Sequence, residues 1–365
     1  MFLSTQQWEW FQNTFQNISE GIALAINFLL IYLILNHSPK KLGSYKYLMI
    51  YISVSELLYA VIDYLVSPVN RYHEYKQVSL WLFQFFFSHG PALVVIVNQK
   101  KSFFGKEVSR VLLSVYSGFF GSSMAIFGIH FIYRYLVASG NTMLATFSTW
   151  KLSLWLSFPM FYASLWGLGT YYLCGSTEYT TEFVRESMLE NFGLEIEDIV
   201  YFALNFYQNH ENGEVVIVYE QILAILINSF IITSSISTTV YFGVKCFNKI
   251  NKLVIGHSVS NRSRTLQRQL FYALVVQTMI PVILMHIPVS IIYTFAFLGK
   301  GMGTICGFAS ITISMYPALD PLPTIFIIKN YRNAVLSCIP CLSKANQSES
   351  RTTSKDASRP QGVVA

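Results

Sequence analysis

The apolar run LFYALVVQTMIPVILMHIPVSIIYTFAFL fills residues 270–298 and contains no Asp, Glu, Lys or Arg. An α-helix needs only about 20 mostly apolar residues to cross the hydrocarbon core of a bilayer. The chain as a whole is 53% hydrophobic and 12% charged, whereas a typical soluble domain is about 25% charged. The sequence therefore predicts a membrane protein.

Six further segments have the same apolar character, and the stretch 78–97 resembles them in length. That stretch contains Ser88-His89-Gly90-Pro91, which would leave unpaired backbone groups in lipid, so we predict a loop there. We therefore expect an all-α membrane protein built as a seven-helix bundle. The predicted spans are residues 21–36, 47–67, 111–133, 150–172, 222–244, 270–298 and 304–328.

Lys and Arg indicate the orientation of the bundle, because cytoplasmic connections carry an excess of them. Segments 37–46, 134–151 and 245–268 and the tail after 328 hold 17 basic and 2 acidic residues. The remaining connections hold 7 basic and 14 acidic residues. This asymmetry predicts an external amino terminus and a cytoplasmic carboxyl tail. An eighth span at 78–97 would invert every later segment and place the basic residues of 245–268 outside.

The predicted spans divide the chain into three regions. Residues 1–20 form an extracellular segment, 21–328 the seven-helix bundle, and 329–365 a cytoplasmic tail with a short amphipathic helix. We expect the external loops 68–108 and 174–220 to pack together as a lid, because their charges are opposite; independent solvated loops are the alternative. Within the loops we expect a hairpin of residues 92–97 with 102–104, a helix at 181–192 and a turn at Asn212-Gly213 before 215–218.

Four ionisable residues fall inside the predicted helices. A charge near the bilayer centre costs about 2.5–3.5 kcal/mol on insertion scales, so such side chains should face the bundle interior. At about 1.5 Å per residue, Glu56 and Asp320 share an inner level, and Asp63 and His286 share an outer level. We predict a structural or switch role for the inner pair, with a shared proton or a bound Na⁺. For the outer pair, ligand lining and interhelical hydrogen bonding remain open.

Signatures of enzymes and cofactor-binding proteins are missing from the sequence. Nothing in the chain predicts a metal ion, a cofactor, catalysis or a nucleic-acid partner. Cys338 and Cys341 lie beside basic residues just past the last span, and we expect palmitoylation or two idle thiols. Asn17 heads the one sequon on the predicted external side, so we take it as the candidate glycosylation site.

Several longer strings carry a resemblance to known receptors. His130-Phe131-Ile132-Tyr133-Arg134-Tyr135 ends the third helix, and its Tyr-Arg-Tyr is similar to the Asp-Arg-Tyr element of rhodopsin-like G-protein-coupled receptors. Asp320-Pro321 is similar to their Asn/Asp-Pro element. Together with the strings at 43–51, 270–281, 316–323 and 330–332, these motifs resemble the nematode serpentine chemoreceptors of class r, the Str-type odorant receptors, over residues 20–335.

This resemblance implies a receptor that binds a small odorant-like molecule and activates a heterotrimeric G protein at the membrane of a sensory cilium. A ligand-gated channel and a transporter are the alternatives. Departures from the wider rhodopsin-like pattern are Tyr133 in place of an acid, Thr324 in place of a Tyr, and no Cys at the outer start of the third helix. Membrane lipid is a further expected partner of the basic 245–268 loop. The residues that we expect to couple the switch to the G protein are His130, Tyr133, Arg134, Tyr135, Glu56, Asp320 and Pro321.

The ligand should lie in the outer half of the bundle, in an apolar pocket with a few polar groups. Aromatic side chains at that depth would provide area and shape, and Asp63 and His286 would be the polar groups. The residues that this depth predicts as ligand contacts are Asp63, Tyr64, Tyr116, Phe119, Phe120, Trp166, His286 and Tyr293.

Overall fold

The structure is a computed structural model that describes residues 5–66, 85–89, 91–99, 104–148, 150–192, 195–209, 215–255 and 261–337. Long helices dominate it, and each of the seven predicted spans coincides with one helix or one broken helix. The helices are α1 (Thr5–His37), α2 (Tyr45–Val66), α3 (Lys106–Ser139), α4 (Lys151–Leu173), α5 (Glu178–Phe192), α6 (Tyr219–Ile255), α7 (Asn261–Pro281), α8 (Ile287–Phe297), α9 (Gly307–Leu319), α10 (Pro321–Ile327) and α11 (Lys329–Ser337).

Five helical stretches are long and apolar enough to cross a membrane: Thr14–His37, Tyr45–Val66, Lys106–Ser139, Tyr219–Lys252 and Ser263–Phe297. A sixth is Gly307–Ile327, after which Lys329–Ser337 turns away by 97°. The remaining predicted span is α4, a 23-residue helix that is not among these candidates. Since α4 packs against both α3 and α6, it completes a seven-helix bundle.

α3 is the central helix of this bundle. It packs against α2, α4, α6 and α7, and 78% of its most apolar stretch is buried. Small residues allow the close approach of α4, because a Cβ on Gly118 would lie 3.2 Å from the backbone carbonyl carbon of Ala163. A Cβ on Gly121 would likewise overlap the Trp166 ring.

The bundle is helical, as predicted, and short strands lie in the connections between its helices. Strands β1 (Phe85–His89), β2 (Ala92–Asn98) and β3 (Ile199–Asn205) form an antiparallel sheet in the order β1-β2-β3. β4 (Tyr207–Asn209) pairs with β5 (Val215–Ile217). The run Val94-Val95-Ile96-Val97 explains β2, because β-branched residues favour strands.

The sheet joins the two predicted external loops, since β2 comes from one and β3 from the other. Leu93 and Phe86 pack onto the helices, while the next side chain, Val94, packs with Val184 and Met188 of α5. This alternation is that of a strand with two buried faces. The expected packing of the two loops on each other is confirmed, and apolar contacts carry it.

The predicted hairpin has the wrong partner strand. Residues 92–97 are extended, but they pair with β1, and His89 lies opposite Ala92. Pro91, which argued against a membrane span, therefore lies at the hairpin's own turn. Residues 102 and 103 lie outside the described residues, as does the Asn212-Gly213 turn signal; the helix expected at 181–192 is α5.

We call the end of the bundle that carries the sheet the sheet end, and the end that carries α11 the tail end. Two buried thiols at the sheet end, Cys174 and Cys306, are free. The first helix extends further toward the sheet end than predicted, starting at Thr5 instead of residue 21. It continues because Gln12 and Gln16 are buried, with Gln12 Nε2 donating to the Gly307 carbonyl at 2.8 Å.

Prolines interrupt two of the spans. Pro281 ends α7, a five-residue π-helical turn covers Val282–His286, and Pro288 lies in the first turn of α8. In the last span, Pro317 lies inside α9, and α10 begins at Pro321. Proline and π-turns are the usual causes of helix kinks.

Candidate functional site

Glu56 and Asp320 meet inside the bundle, as their equal depth predicts. Their side chains are 2% and 0% exposed, and the two carboxyl groups lie next to each other. Gln277 Nε2 donates to Asp320 Oδ2 at 2.8 Å, and Thr324 Oγ1 donates to Gln277 Oε1 at 2.8 Å. One oxygen of each carboxyl group has no hydrogen-bond partner. Two adjacent carboxylates without a cation repel each other, so a shared proton or a monovalent ion between them would stabilise this arrangement.

Arg134 is buried near the tail end, where α3 contacts α7. Its guanidinium donates to the Gln267 carbonyl at 3.1 Å and also to the Gln267 side-chain oxygen. It lies over the Tyr45 ring, 5.1 Å from the centroid. An amide of α7 thus contacts Arg134, while Tyr133 occupies the sequence position at which the rhodopsin-like motif has a carboxylate.

The other residues of that motif hold α2 and α3 together. His130 Nδ1 lies 3.3 Å from Tyr45 Oη, and His130 Nε2 lies 3.2 Å from the Leu48 carbonyl. Tyr133 stacks on Tyr45 with 5.2 Å between centroids. Tyr135 instead contacts Phe242 on α6 at 5.6 Å.

Asp63 and His286 do not form one site, although their depths agree. His286 Nε2 lies 3.3 Å from Ser123 Oγ, and its ring packs edge-on against Phe120 at 5.1 Å. Asp63 instead has Glu20 of α1 as its charged neighbour. Depth alone does not fix the direction in which a helical side chain points.

A cavity of ≈ 70 Å³ lies at the sheet end between α3, α4, α6 and α8. The sheet covers it with Phe86, Leu93 and Leu204. No Asp, Glu, Lys or Arg is among its lining residues, and its polar groups include Ser117, Thr170, Asn228 and Tyr293. We call this the sheet-end cavity.

A second cavity of ≈ 280 Å³ adjoins it and shares Phe120, Trp166, Asn228, Val289 and Tyr293 with it. His286 lines this second cavity. A larger groove of ≈ 590 Å³ lies among α3, α4 and α6 nearer the tail end, and its lining includes none of the predicted ligand residues.

Five of the eight predicted ligand residues line the sheet-end cavity or the second cavity that adjoins it: Tyr116, Phe120, Trp166, His286 and Tyr293. Tyr64 is 44% exposed. It directly follows Asp63, and successive residues of an α-helix are rotated by about 100° about the helix axis, so Tyr64 points to the outer surface. Phe119 packs on Tyr59 with centroids 6.2 Å apart. Asp63 and Phe119 line neither cavity.

Sequence reasoning missed the neutral amides of the site. Asn228 is 8% exposed and lines both cavities, while Gln267 and Gln277 contact Arg134 and Asp320. Glu20 was assigned to the external segment, yet it is 3% exposed within α1. A search for any polar side chain in an apolar helical run, not only an ionisable one, would have found them.

Three predicted sites concern covalent modification. Cys338 and Cys341 lie outside the described residues. Asn17 lies on the exposed side of α1, within the candidate span Thr14–His37. Its glycosylation stays a prediction.

Comparisons with known proteins agree with this geometry. The family described as "Serpentine type 7TM GPCR chemoreceptor Str" matches residues 12–336. G-protein coupled receptor str-217 of Caenorhabditis elegans is 36% identical over 335 residues, 91% of each chain. Serpentine receptor class r-10 of the same species is 27% identical over 357 residues, 97% of this chain and 98% of the relative.

These matches cover the whole bundle, including both buried motifs and the residues around the cavities. They do not favour a channel or a transporter. The chain therefore belongs to the Str family of serpentine chemoreceptors and is a chemosensory G-protein-coupled receptor.

Proposed function

We propose that this receptor detects a small, uncharged, largely apolar molecule in the sheet-end cavity and the cavity beside it. The observation that carries the proposal is the lining, which combines aromatic rings with hydroxyl and amide groups and has no charged side chain. A charged ligand would lose its hydration there without gaining a counter-charge. A neutral molecule needs only shape and one or two hydrogen bonds.

Asn228 and Tyr293 are the polar groups best placed for such a ligand, since both line both cavities. His286 supplies a third polar group from the adjoining cavity. Each heavy atom of a very small ligand contributes at most about 1.5 kcal/mol, so micromolar affinity is the expected range.

Two matched compound panels test this proposal in cells that express the receptor with a G-protein readout. One panel holds neutral volatile ketones, alcohols and esters, and the other holds amines and carboxylic acids with the same carbon skeletons. We expect activators in the neutral panel. Activation confined to charged compounds would contradict the proposal.

The same assay examines the proposed contact. Asn228→Leu removes the amide at nearly constant volume and should raise the effective concentration about 5- to 30-fold, the equivalent of one hydrogen bond of about 1–2 kcal/mol. Tyr64→Phe is the matched control, because Tyr64 is exposed on the outer surface of α2. Equal responses from both variants would contradict a role for Asn228.

We propose further that the sheet end faces the outside and that the tail end meets the G protein. The excess of Lys and Arg in the tail-end connections supports this orientation. Arg134, with Glu56, Asp320 and Pro321 deeper in the bundle, would relay the signal, and the basic 245–268 connection would also attract anionic lipid. An amino-terminal tag should be accessible to antibody on intact cells and a carboxyl-terminal tag only after permeabilisation; the reverse pattern would contradict the orientation.

Membership of a chemoreceptor family supports the plasma membrane of a sensory cilium as the site of action. A fluorescent fusion expressed from the native promoter should concentrate in the ciliary endings of chemosensory neurons. Fluorescence confined to internal membranes of other cells would exclude this localisation.

A further inference from the structure

A row of polar side chains follows one face of α1. Gln12, Gln16 and Glu20 recur at intervals of four residues, so they lie on the same side of the helix. All three are 3–4% exposed, although Gln16 and Glu20 fall inside the candidate span Thr14–His37. Polar groups buried in this way are costly unless something satisfies them.

Packing places Glu20 opposite Asp63. Ala23 of α1, Ala60 of α2 and Ala318 of α9 form a contact cluster at which the three helices meet. α1 and α2 are antiparallel, and each carboxyl residue lies three positions from its alanine toward the sheet end. The two side chains therefore project to one level, almost one turn beyond the alanine contact. Their electrostatic interaction agrees with this placement.

The oxygen atoms at this level lack partners. Neither carboxylate oxygen of Glu20 has a hydrogen-bond partner, and the same is true of Gln16 Oε1 and Tyr59 Oη. Tyr59 interacts electrostatically with Asp63, so its hydroxyl belongs to the same group. Among the described residues, no Lys, Arg or His forms an ion pair with either Glu20 or Asp63. No cationic side chain in the described part of the chain thus neutralises the two carboxyl groups.

We propose that Glu20 and Asp63, with Gln16 Oε1 and Tyr59 Oη, bind a divalent hard cation of the Ca²⁺ class that enters from the sheet end. We call this the α1–α2 cation site. Ca²⁺ takes six to eight oxygen ligands from carboxylates, amide carbonyls and water. Two carboxylates, one amide and one hydroxyl offer six protein oxygens, and the two negative charges match the charge of the ion.

The site differs from the Glu56–Asp320 pair in position and in ligands. Asp63 lies seven residues beyond Glu56 on α2, which is about 10 Å along the helix. Only two of the protein ligands are charged, so the affinity should be in the range of extracellular modules, about 0.1–1 mM. Occupancy would tie α1 to α2 next to the alanine contact, and binding to the folded state alone raises the unfolding temperature.

The test measures thermal unfolding of the purified full-length receptor in detergent. CaCl₂ is raised to about 10 mM, with choline chloride holding the ionic strength constant and NaCl in a parallel series. We expect CaCl₂ to raise the unfolding midpoint by on the order of 2–4 °C through Glu20 and Asp63, whereas any effect of NaCl should come from the Glu56–Asp320 pair and be lost in Glu56→Gln. Binding of Tb³⁺ gives a direct second readout, since the ion takes the same oxygen ligands and emits when nearby tyrosines are excited.

Four isosteric variants separate the possibilities. Glu20→Gln and Asp63→Asn should abolish both the CaCl₂ shift and the Tb³⁺ emission. Glu56→Gln should retain both, because it alters only the other pair, and so should Glu182→Gln, whose side chain is 79% exposed and pairs with Arg185.

Three results would overturn the proposal. The first is a wild-type receptor without a CaCl₂ shift, and the second is a shift that persists in Glu20→Gln. The third is stabilisation by NaCl alone or by acid alone that Glu20→Gln removes, which would assign the site to a monovalent ion or to a shared proton. None of these results bears on whether the sheet-end cavity binds the odorant.

Discussion

Arg134 is held by a neutral amide in this structure, whereas a carboxylate would have held it by charge. Hydrogen bonds to charged groups contribute about 1.5–3 kcal/mol, and the Gln267 contact supplies no opposing charge beyond them. The Tyr45 ring adds a cation–π contact. The resting arrangement therefore depends on how closely α7 packs against α3.

Arg134→Ala should leave surface expression intact and abolish ligand-evoked signalling, because no other guanidinium occupies that position at the tail end of α3. The measurement is a dose–response curve normalised to surface receptor. Arg268→Ala is a suitable control, since Arg268 lies on α7 over the ring of Tyr272. A normal response from a well-expressed Arg134→Ala receptor would remove Arg134 from the coupling mechanism.

His286→Phe keeps the bulk of the ring and removes its polarity, so it should raise the response threshold about 5- to 30-fold while maximal signalling survives. His286→Gln, which keeps a polar group at this position, should shift the threshold less. If both variants respond like the wild type, His286 serves only its contact with Ser123.

The depth of each residue along its helix was predictable from the sequence, whereas the direction of its side chain was predictable only in part. Glu56 and Asp320 meet as their depths predict, whereas Asp63 and His286 have separate partners. Tyr64 was chosen by depth and lies on the outer surface, although the period of the buried positions of α2 assigns it there. Glu20 was overlooked because the apolar run begins one residue later.

Among the secondary-structure elements, β2 is the most informative, since its two faces contact different parts of the molecule. Leu93 lines the sheet-end cavity, and its neighbour Val94 faces α5. Both are almost completely buried, at 3% and 0% exposed. The strand therefore offers a pair of substitutions that differ mainly in the direction of the side chain.

Leu93→Ala should shift ligand preference toward longer homologues, because it enlarges the cavity from the sheet side. Val94→Ala should leave the order of preference unchanged, since the space it creates opens toward α5. Removing a buried leucine side chain costs about 2–5 kcal/mol, so surface expression must be measured for each variant. Identical preference profiles would mean that the sheet does not shape the ligand site.

The hairpin shows what limits prediction outside the membrane. Its strands are short and apolar, and several pairings satisfy the same pattern. Pro91 was recognised as incompatible with a span, but its place at the turn of a hairpin was not. The pairing of β2 with β3 joins segments about 100 residues apart, and no local signal in the sequence encodes such a contact.

At the scale of the whole molecule, the seven helices and their order followed from run length and charge. The buried network that links α2, α7 and the last span did not, because it depends on which faces meet. Glu56, Asp320, Gln277 and Thr324 bridge these helices in one continuous set of contacts.

Glu56→Gln should therefore change basal activity more than ligand affinity, since it would alter the shared proton or ion that we expect at a pair that lines neither cavity. Allosteric coupling energies are about 1–3 kcal/mol, so we expect a change in basal signalling of about fivefold or more. Glu107→Gln, near the start of α3, is the control. A change in affinity with constant basal activity would place Glu56 in ligand binding instead.

The π-helical turn at Val282–His286 divides one span into two parts with different tasks. On the tail-end side of the turn, α7 carries Gln267 and Gln277, which contact Arg134 and Asp320. On the sheet-end side, α8 carries Tyr293, which lines the sheet-end cavity. A π-turn contains a surplus residue, so the two parts can rotate relative to each other more readily than the halves of an unbroken helix. Substitutions in α8 would then redirect Tyr293 within the proposed ligand cavity while the contacts of α7 stay in place. The same fold would thus acquire new ligand specificities while the α7 contacts to Arg134 and Asp320 stay unchanged.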